Sequence, residues 1–567
     1  MNIIVIGGSA AGPKAAARAR RINPKAEITI IQKEPHLSMA SCGYPYYVGG
    51  FFDDRNQLIS TPTGVVRDPA FFMKAKGITA LTQTEATEID TKNQVVTATS
   101  LEDGSVRQFP YDRLIIATGA RPKMPPIPGI TLEGITTLQS LKDADYLRAI
   151  RDQRSIRKAV VVGGGLIGVE TAEALHLAGI EVVIVEMLPH ILSFLNPQLA
   201  SLVEQHLRSK GADVILDNGV QEFLGDSNKL RAVKLSNGTE LSAELAVIAV
   251  GVQPNVDLAR RAGIRIGDLG GIVVDQYMKT SIKNVFAVGD CIEVHNRLTG
   301  KPVLAPYGDL ANLQGRVAGE HAATETAKAN QPLPSFPGTV QTGICKVFDF
   351  IAGSTGLTFD NAKAAGFNPI CVVASGPDKP GFMKGLPLIS YMVADRDSRR
   401  ILGFQCVGTG DVSKQVAQAA VAIQGGLTVD DMTNLDLPYA PPFSLAIDNG
   451  IGVSHVLQNK MNNLFTGICA EELYNRVQAQ EELFILDVRG PDEFEQMRLG
   501  IGERLIPLGA LRNRLSELPQ DKNSEIITFC KISLRGYEAA RILQGEGYTN
   551  IKVLEGGILA WPYCREK

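Results

Sequence analysis

The feature that most constrains this chain is a duplication. A β-branched apolar run, a glycine turn and an alanine-rich run at helical spacing occupy Asn2–Arg21, and the same pattern returns over Ala159–Leu177. Each copy is followed by another apolar run, Ile28–Ile31 in the first and Val182–Val185 in the second. Continuous apolar runs of this length read as strands covered on both faces, and strand, turn, helix and strand in that order make a βαβ unit. Two copies predict two doubly wound, Rossmann-like α/β domains. At roughly 100–200 residues per domain, a chain of 567 residues has room for more.

The rest of the chain reads differently. Residues 330–450 alternate short strands (Ile344–Val347, Leu388–Val393) with one helical run, Lys414–Gln424, which predicts an α+β domain. Residues 451–470 carry few signals and are expected to hold a linker. A small α/β domain follows, with a helix over Ala470–Gln480, strands over Phe484–Val488 and Ile551–Leu554, and a short helix after Gly556. The expected organisation is a first nucleotide domain from 1–120 and 245–325, a second over 121–244, an interface domain over 326–450, the linker over 451–470 and a final domain over 471–567.

Composition excludes several classes. A formal charge of −3 gives no electrostatic basis for binding nucleic acid or an anionic membrane. No 18-residue apolar stretch suggests a membrane span, and Ile3–Ile6 runs straight into glycines, as a core strand rather than an export signal does. The eight cysteines form no CxxC pair, so no metal site is expected, and their scatter suits a reducing cytoplasm.

The glycine turns carry the first chemical signal. The second, Gly163-Gly164-Gly165-Leu166-Ile167-Gly168, fits GxGxxG in full, with Gly163, Gly165 and Gly168 at the three glycine places. Glu186 ends the next strand, where a carboxylate bonds an adenine-ribose 2′-hydroxyl and repels a 2′-phosphate. NADH is therefore expected here ahead of NADPH. The first turn keeps Gly7 and Gly12 but has Ser9 in the middle place, and Gln32 replaces the acidic residue, with Lys33 and Glu34 beside it. Its backbone N–H groups and helix N-terminus can still hold a pyrophosphate. Two later segments, YDRLIIATGARP with Thr118 and Gly119, and TSIKNVFAVGD with Gly289 and Asp290, each end a strand at a glycine turn. Together with the first turn they resemble the FAD-binding elements of flavoproteins with two dinucleotide-binding domains; Asn255, in GVQPN, is typical of the same fold.

Ser38–Tyr47 reads SMASCGYPYY, placing Cys42 where that superfamily carries its redox cysteine. Many members have a second cysteine five residues on; here that residue is Tyr47. A lone cysteine beside a flavin can form a mixed disulfide with a small thiol or a sulfenic acid with peroxide. The stretch resembles the single-cysteine branch of the pyridine nucleotide-disulfide oxidoreductases, which holds coenzyme A disulfide reductases, NADH-dependent persulfide reductases, NADH oxidases and NADH peroxidases. Ser41 stands where the coenzyme A enzymes have Asn, closer to the oxidases. Ala10 replaces the histidine of the peroxidases, removing their acid/base group. The resemblance implies a homodimer. It assigns the basic first helix, ARARR with Arg18 and Arg21, together with Ser38 and Ser41, to coenzyme A or its substrate form. LPYAPPF resembles the family's SYAPPF, so Tyr439 is expected to reach the partner subunit's redox cysteine. Asp378-Lys379-Pro380-Gly381 replaces a family YYPG, so one active-site tyrosine is missing.

The last hundred residues resemble a rhodanese domain through LDVRGPDEF, LEGGILAW and the loop FCKISLRG between them. That resemblance makes Cys530 the sulfur-accepting nucleophile and Arg535 its anion-stabilising partner, with Ser533 in place of a frequent glycine. The combined expectation is a cytoplasmic, FAD- and NADH-dependent reductase of a small persulfide, polysulfide or disulfide acting through Cys42, joined to sulfur transfer at Cys530. An NADH oxidase using a Cys42 sulfenate and a sulfur carrier acting through Cys530 alone are the alternatives.

Overall fold

The computed structural model describes residues 1–324 and 332–566, so the expected domain boundary at 325/326 lies outside the described residues. The chain forms two compact units, Met1–Met187 with Asn218–Thr339, and Leu188–Asp217 with Val340–Lys567.

In the first unit, strand Asn2–Ile6 lies between Glu27–Ile31 and Arg113–Ile116, parallel to both. Val285–Ala287 and Thr79–Leu81 extend the sheet on its two sides. Ile3, Ile4, Val5 and Ile6 are all buried. A parallel strand has helices or connections over both faces, so every position must be apolar, and the run in the sequence is the direct consequence. Helix Ala11–Ile22 follows, its alanines letting helix Gly308–Ala323 pack against it. The second copy repeats the design: Lys158–Val162 runs parallel between Glu181–Val185 and Leu245–Ile248, with Ile135–Thr136 beyond, and helix Leu166–Leu177 returns the chain.

The second unit holds a five-stranded antiparallel sheet in the order Gly343–Val347, Phe350–Gly356, Ile401–Gly408, Pro387–Asp395, Pro369–Pro377. Helix Val412–Gly425 packs on its central strands. The stretch 451–470, expected to be linker, is largely regular. Helix Asn449–Met461 buries Ile451, Val453 and Leu457 and packs on strands Pro369–Pro377 and Pro387–Asp395. Its glycines, asparagines and serine lower helix propensity, which hides the helix in the sequence; tertiary packing and the Asp448 cap on the Gly450 N–H override that.

The C-terminal sheet is parallel, in the order Gly467–Ile468, Ile551–Leu554, Ile526–Phe529, Phe484–Asp487, Arg504–Leu505. Phe529, Leu554 and Trp561 fill its core. Within this unit it is fastened to the antiparallel sheet by buried polar contacts. The Glu555 carboxylate pairs with Lys460 and accepts from the Val373 N–H at 3.0 Å. Gln198 Nε2, on helix Pro197–Ser209, donates to the Ala560 carbonyl at 2.7 Å.

Candidate active sites

The two glycine turns are built alike. Gly7 and Gly163 take φ of +108° and +107°, and a Cβ on either would overlap a carbonyl of the neighbouring strand end, Ala117 or Ala249. At Gly12 and Gly168 a Cβ would overlap the carbonyl of Gly7 or Gly163, so glycine alone lets helix and strand close up. The equivalence extends to the residues after the second strand. The Gly164 N–H donates to Glu186 Oε2 at 2.7 Å, and the Gly8 N–H donates to Gln32 Oε1, also at 2.7 Å. Gln32 thus keeps the turn-bracing hydrogen bond of the carboxylate it replaces. Glu34 is exposed, and Lys33 pairs with Glu85 at 2.9 Å.

Both turns fit a dinucleotide. No neighbouring atom lies within 4 Å of where a Cβ on Gly165 or Gly119 would stand, which leaves room for a ligand at the backbone. Thr118 Oγ1 donates to the Asn255 carbonyl at 2.7 Å, and Asn255 Nδ2 donates to the Thr118 carbonyl at 2.9 Å, locking the two strand ends together. The Gly289 N–H donates to Gln314 Oε1 at 2.8 Å. Asp290, next in line, receives no hydrogen bond from any described residue, and burial pushes its carboxyl up to about 6. A desolvated acceptor without a protein donor is what a ribityl hydroxyl would satisfy.

Cys42 lies in the 3₁₀ turn Ser41–Gly43, exposed, at the start of helix Tyr44–Gly49. A Cβ on Gly308 would stand 3.8 Å from its Sγ, so the first turn of helix Gly308–Ala323 borders the thiol. Partial desolvation raises the thiol, and the Glu170 and Asp290 carboxylates raise it further. Glu170, two residues past Gly168, is pushed up to about 7 by burial and accepts from the Tyr46 hydroxyl at 3.3 Å. The sequence reading missed Glu170; a carboxylate two residues past the last glycine of the turn, in the mostly apolar LIGVETAEAL helix, was the available signal. Tyr47 fills the place of a second cysteine: it is buried, its hydroxyl donates to Asp145 at 3.2 Å, and Arg148 covers its ring. Nearby, the Arg67 guanidinium donates to the Ser38 carbonyl at 3.3 Å, and Ser38 itself is in the left-handed region. Arg18 is committed to Glu320 at 2.8 Å, whereas Arg21 and Ser41 are exposed. Tyr439, in the second unit, is 54% exposed, and Phe443 beside it is 74% exposed.

Cys530 follows strand Ile526–Phe529 and is fully buried. The loop beyond it reaches helix Leu534–Gly545 through Ser533, whose φ of +74° explains why glycine is frequent there. Ser533 Oγ donates to the Leu554 carbonyl at 2.9 Å, which offsets the roughly 1–2 kcal/mol cost of left-handed backbone for an L-residue. Gly557 also takes positive φ, and a Cβ there would overlap the Cys530 carbonyl, so the GG of LEGGILAW sets the floor of the loop. Arg535 stands close to the Cys530 side chain and forks onto Glu493 at 2.6 and 2.8 Å. The pairing holds the Glu493 carboxyl down at about 2. Below the loop, the fully buried Asp487 carboxylate is bound by Arg489, which also donates to the Glu493 and Met497 carbonyls. The Glu493 pairing was not foreseen, although its residue stood in the quoted motif. Among the described residues no cluster of His, Cys, Asp and Glu could hold a metal, and no helix is long and apolar enough to cross a membrane.

A pair of braced glycine turns, an unsatisfied carboxyl beside one of them and a bordering lone thiol define an FAD- and NAD(P)H-dependent oxidoreductase acting on sulfur. Comparison with known proteins agrees: the chain belongs to the pyridine nucleotide-disulphide oxidoreductase family, matched over residues 1–322, with that family's dimerisation domain over 342–450 and a rhodanese-like domain over 470–563. A solved NAD-dependent persulfide reductase from A. fulgidus is 41% identical, covering 99% of this chain and 100% of that one at a TM-score of 0.93. The NAD(P)H coenzyme A polysulfide/persulfide reductase of Pyrococcus horikoshii is 32% identical over 81% of this chain and 98% of its own. A Methanocaldococcus jannaschii protein named NADH oxidase is 31% identical over 78% of this chain and 96% of its own.

Proposed function

We propose that this protein reduces a small-molecule persulfide, polysulfide or disulfide carried on coenzyme A, through Cys42, and that Cys530 handles the same sulfane sulfur. The observation that carries the reading is a lone, accessible Cys42, with a buried Tyr47 where a second cysteine would stand, in one chain with the braced Cys530 loop. Without an internal partner, Cys42 completes its redox cycle with an external sulfur. Bound FAD supplies the relay for the two electrons of NADH. Gly7, Gly12, Gln32, Lys33, Thr118, Gly119, Gly289 and Asp290 would hold it; Gly163, Gly165, Gly168 and Glu186 would hold NADH ahead of NADPH.

The Cys42 thiolate attacks the inner sulfur of R–S–SH, forming Cys42–S–S–R and expelling HS⁻. Two electrons and a proton then cleave the mixed disulfide to the Cys42 thiolate and RSH. The balance is RSSH + NADH + H⁺ → RSH + H₂S + NAD⁺. Glu170, poised about 7, can hold or release a proton near this thiol. Tyr439 serves the departing thiolate of the partner subunit in a homodimer, an assignment its exposure supports. Arg21, Ser38 and Ser41 would meet the carrier, with Arg18 behind them in its pair with Glu320. Eight free thiols suit the cytoplasm.

Replacement of Cys42 tests this. Cys42→Ser should retain FAD and its anaerobic bleaching by NADH yet lose turnover with persulfide at least 100-fold (~2.7 kcal/mol); full turnover would contradict the reading. The oxidase reading, favoured by Ser41 and by the M. jannaschii relative, predicts oxygen uptake matched to NADH loss and also dependent on Cys42.

A further inference from the structure

Over Cys530 lies a cavity of about 460 Å³ whose far wall lies outside the rhodanese-like segment. Cys530, Arg535 and Leu559 line one side; Pro377, Gly381 and Pro387 line the other. The second group belongs to the turn joining antiparallel strands Pro369–Pro377 and Pro387–Asp395, where Pro377 and Pro387 are paired. This turn contains the Asp378-Lys379-Pro380-Gly381 departure noted in the sequence. Asp378 anchors it: its carboxylate accepts from the Leu386 N–H at 2.7 Å and the Asp411 N–H at 3.3 Å. The turn is also held in place relative to Cys530, because strand Pro369–Pro377 receives Glu555 at Val373 in the same compact unit.

The chemistry of the walls narrows what fits. Arg535 is already neutralised by Glu493, so a bare anion gains little from it, and Lys531 at the rim is exposed. Prolines and leucine otherwise favour an aliphatic chain. We propose that this turn of the dimerisation domain is the specificity-determining wall of the Cys530 site, and that the site takes sulfane sulfur from a slender aliphatic persulfide. The Cys530 thiolate attacks the outer sulfur of R–S–SH; the Cys530–S bond forms, the R–S–S bond breaks, and RS⁻ leaves with the bonding pair, leaving Cys530–S–SH. This deepens the reading of Cys530 as a sulfur-transfer cysteine and rests on it.

The test uses the FAD-loaded full chain carrying Cys42→Ser, without NADH, and reads loading on the Cys530 peptide by mass analysis, apart from the exposed Cys469 and Cys564. Alkyl persulfides from methyl to hexyl are the donors. With the native turn, the loading rate per donor concentration should rise at least about tenfold from methyl to hexyl, as burial of successive methylenes requires. Gly381→Phe, which projects a ring from a position with open space around its Cβ, should flatten that rise, and Gly381→Ala should keep most of it. Gly381→Leu replaces the Phe variant if FAD content or Trp561 fluorescence shows misfolding. No chain-length dependence with the native turn, or an undiminished rise in the folded Phe or Leu variant, would overturn the proposal. No sulfur on Cys530 from any donor would instead overturn the reading of Cys530 beneath it.

Discussion

Gln32 and Glu186 stand at equivalent places in the two nucleotide folds, and each accepts a hydrogen bond from the N–H of the second residue of its glycine turn. The shared bond makes bracing the turn one job of the position, and we infer that charge discrimination is a separate one. Glu186→Ser should therefore lower the NADH-over-NADPH preference in kcat/KM by about tenfold, roughly 1.4 kcal/mol, measured by steady-state kinetics with both nucleotides; an unchanged ratio would place specificity elsewhere. At this scale the sequence was informative where a motif fixes both residue type and spacing, as at Gly163 and Gly168, where the backbone leaves no room for a side chain. It was silent where function depends on a neighbour distant in the chain. Glu170 gains its raised carboxyl from burial, and Glu493 its lowered one from Arg535 across a separation of 42 residues. Ser533, a departure from the usual glycine, is explained by its bond to Leu554, which no spacing reveals.

The helices Pro491–Gln496 and Leu534–Gly545 are cross-linked by Glu493 and Arg535. The Glu493 carboxyl is lowered in the folded chain from 4.5 to about 2. Its contribution to stability is thus fully present above about pH 4.5 and is lost as pH falls toward about 2. Both side chains are about a third exposed, so screening holds the effect near ~1 kcal/mol. Glu493→Gln should melt lower than the native chain at pH 7, with the gap shrinking between pH 4.5 and 2. The fluorescence of Trp561, the single tryptophan and fully buried, reports this domain directly; a gap independent of pH would remove the ion pair from the account. Most strands and helices were legible because apolar periodicity is a local signal, so Ile551–Leu554 and both βαβ units emerged within a residue or two. Helix Asn449–Met461 was not, because its stability comes from the sheet it covers rather than from its own residues.

At the scale of the molecule, the final domain is no loosely tethered appendage. Glu555, in the motif that closes the rhodanese-like segment, is buried against Lys460 and Val373, and Gln198 reaches Ala560. Sequence spacing suggested a joint at 451–470, whereas buried hydrogen bonds between distant segments unite the dimerisation and rhodanese-like domains in one compact unit. The central claim is that this unit and the flavin-binding unit serve one sulfur chemistry. Anaerobic NADH oxidation by the native chain, with coenzyme A persulfide and coenzyme A disulfide compared at equal concentration, tests it most directly. The account predicts clearly faster turnover with the persulfide, releasing one sulfide per NADH. No turnover with either substrate would contradict it.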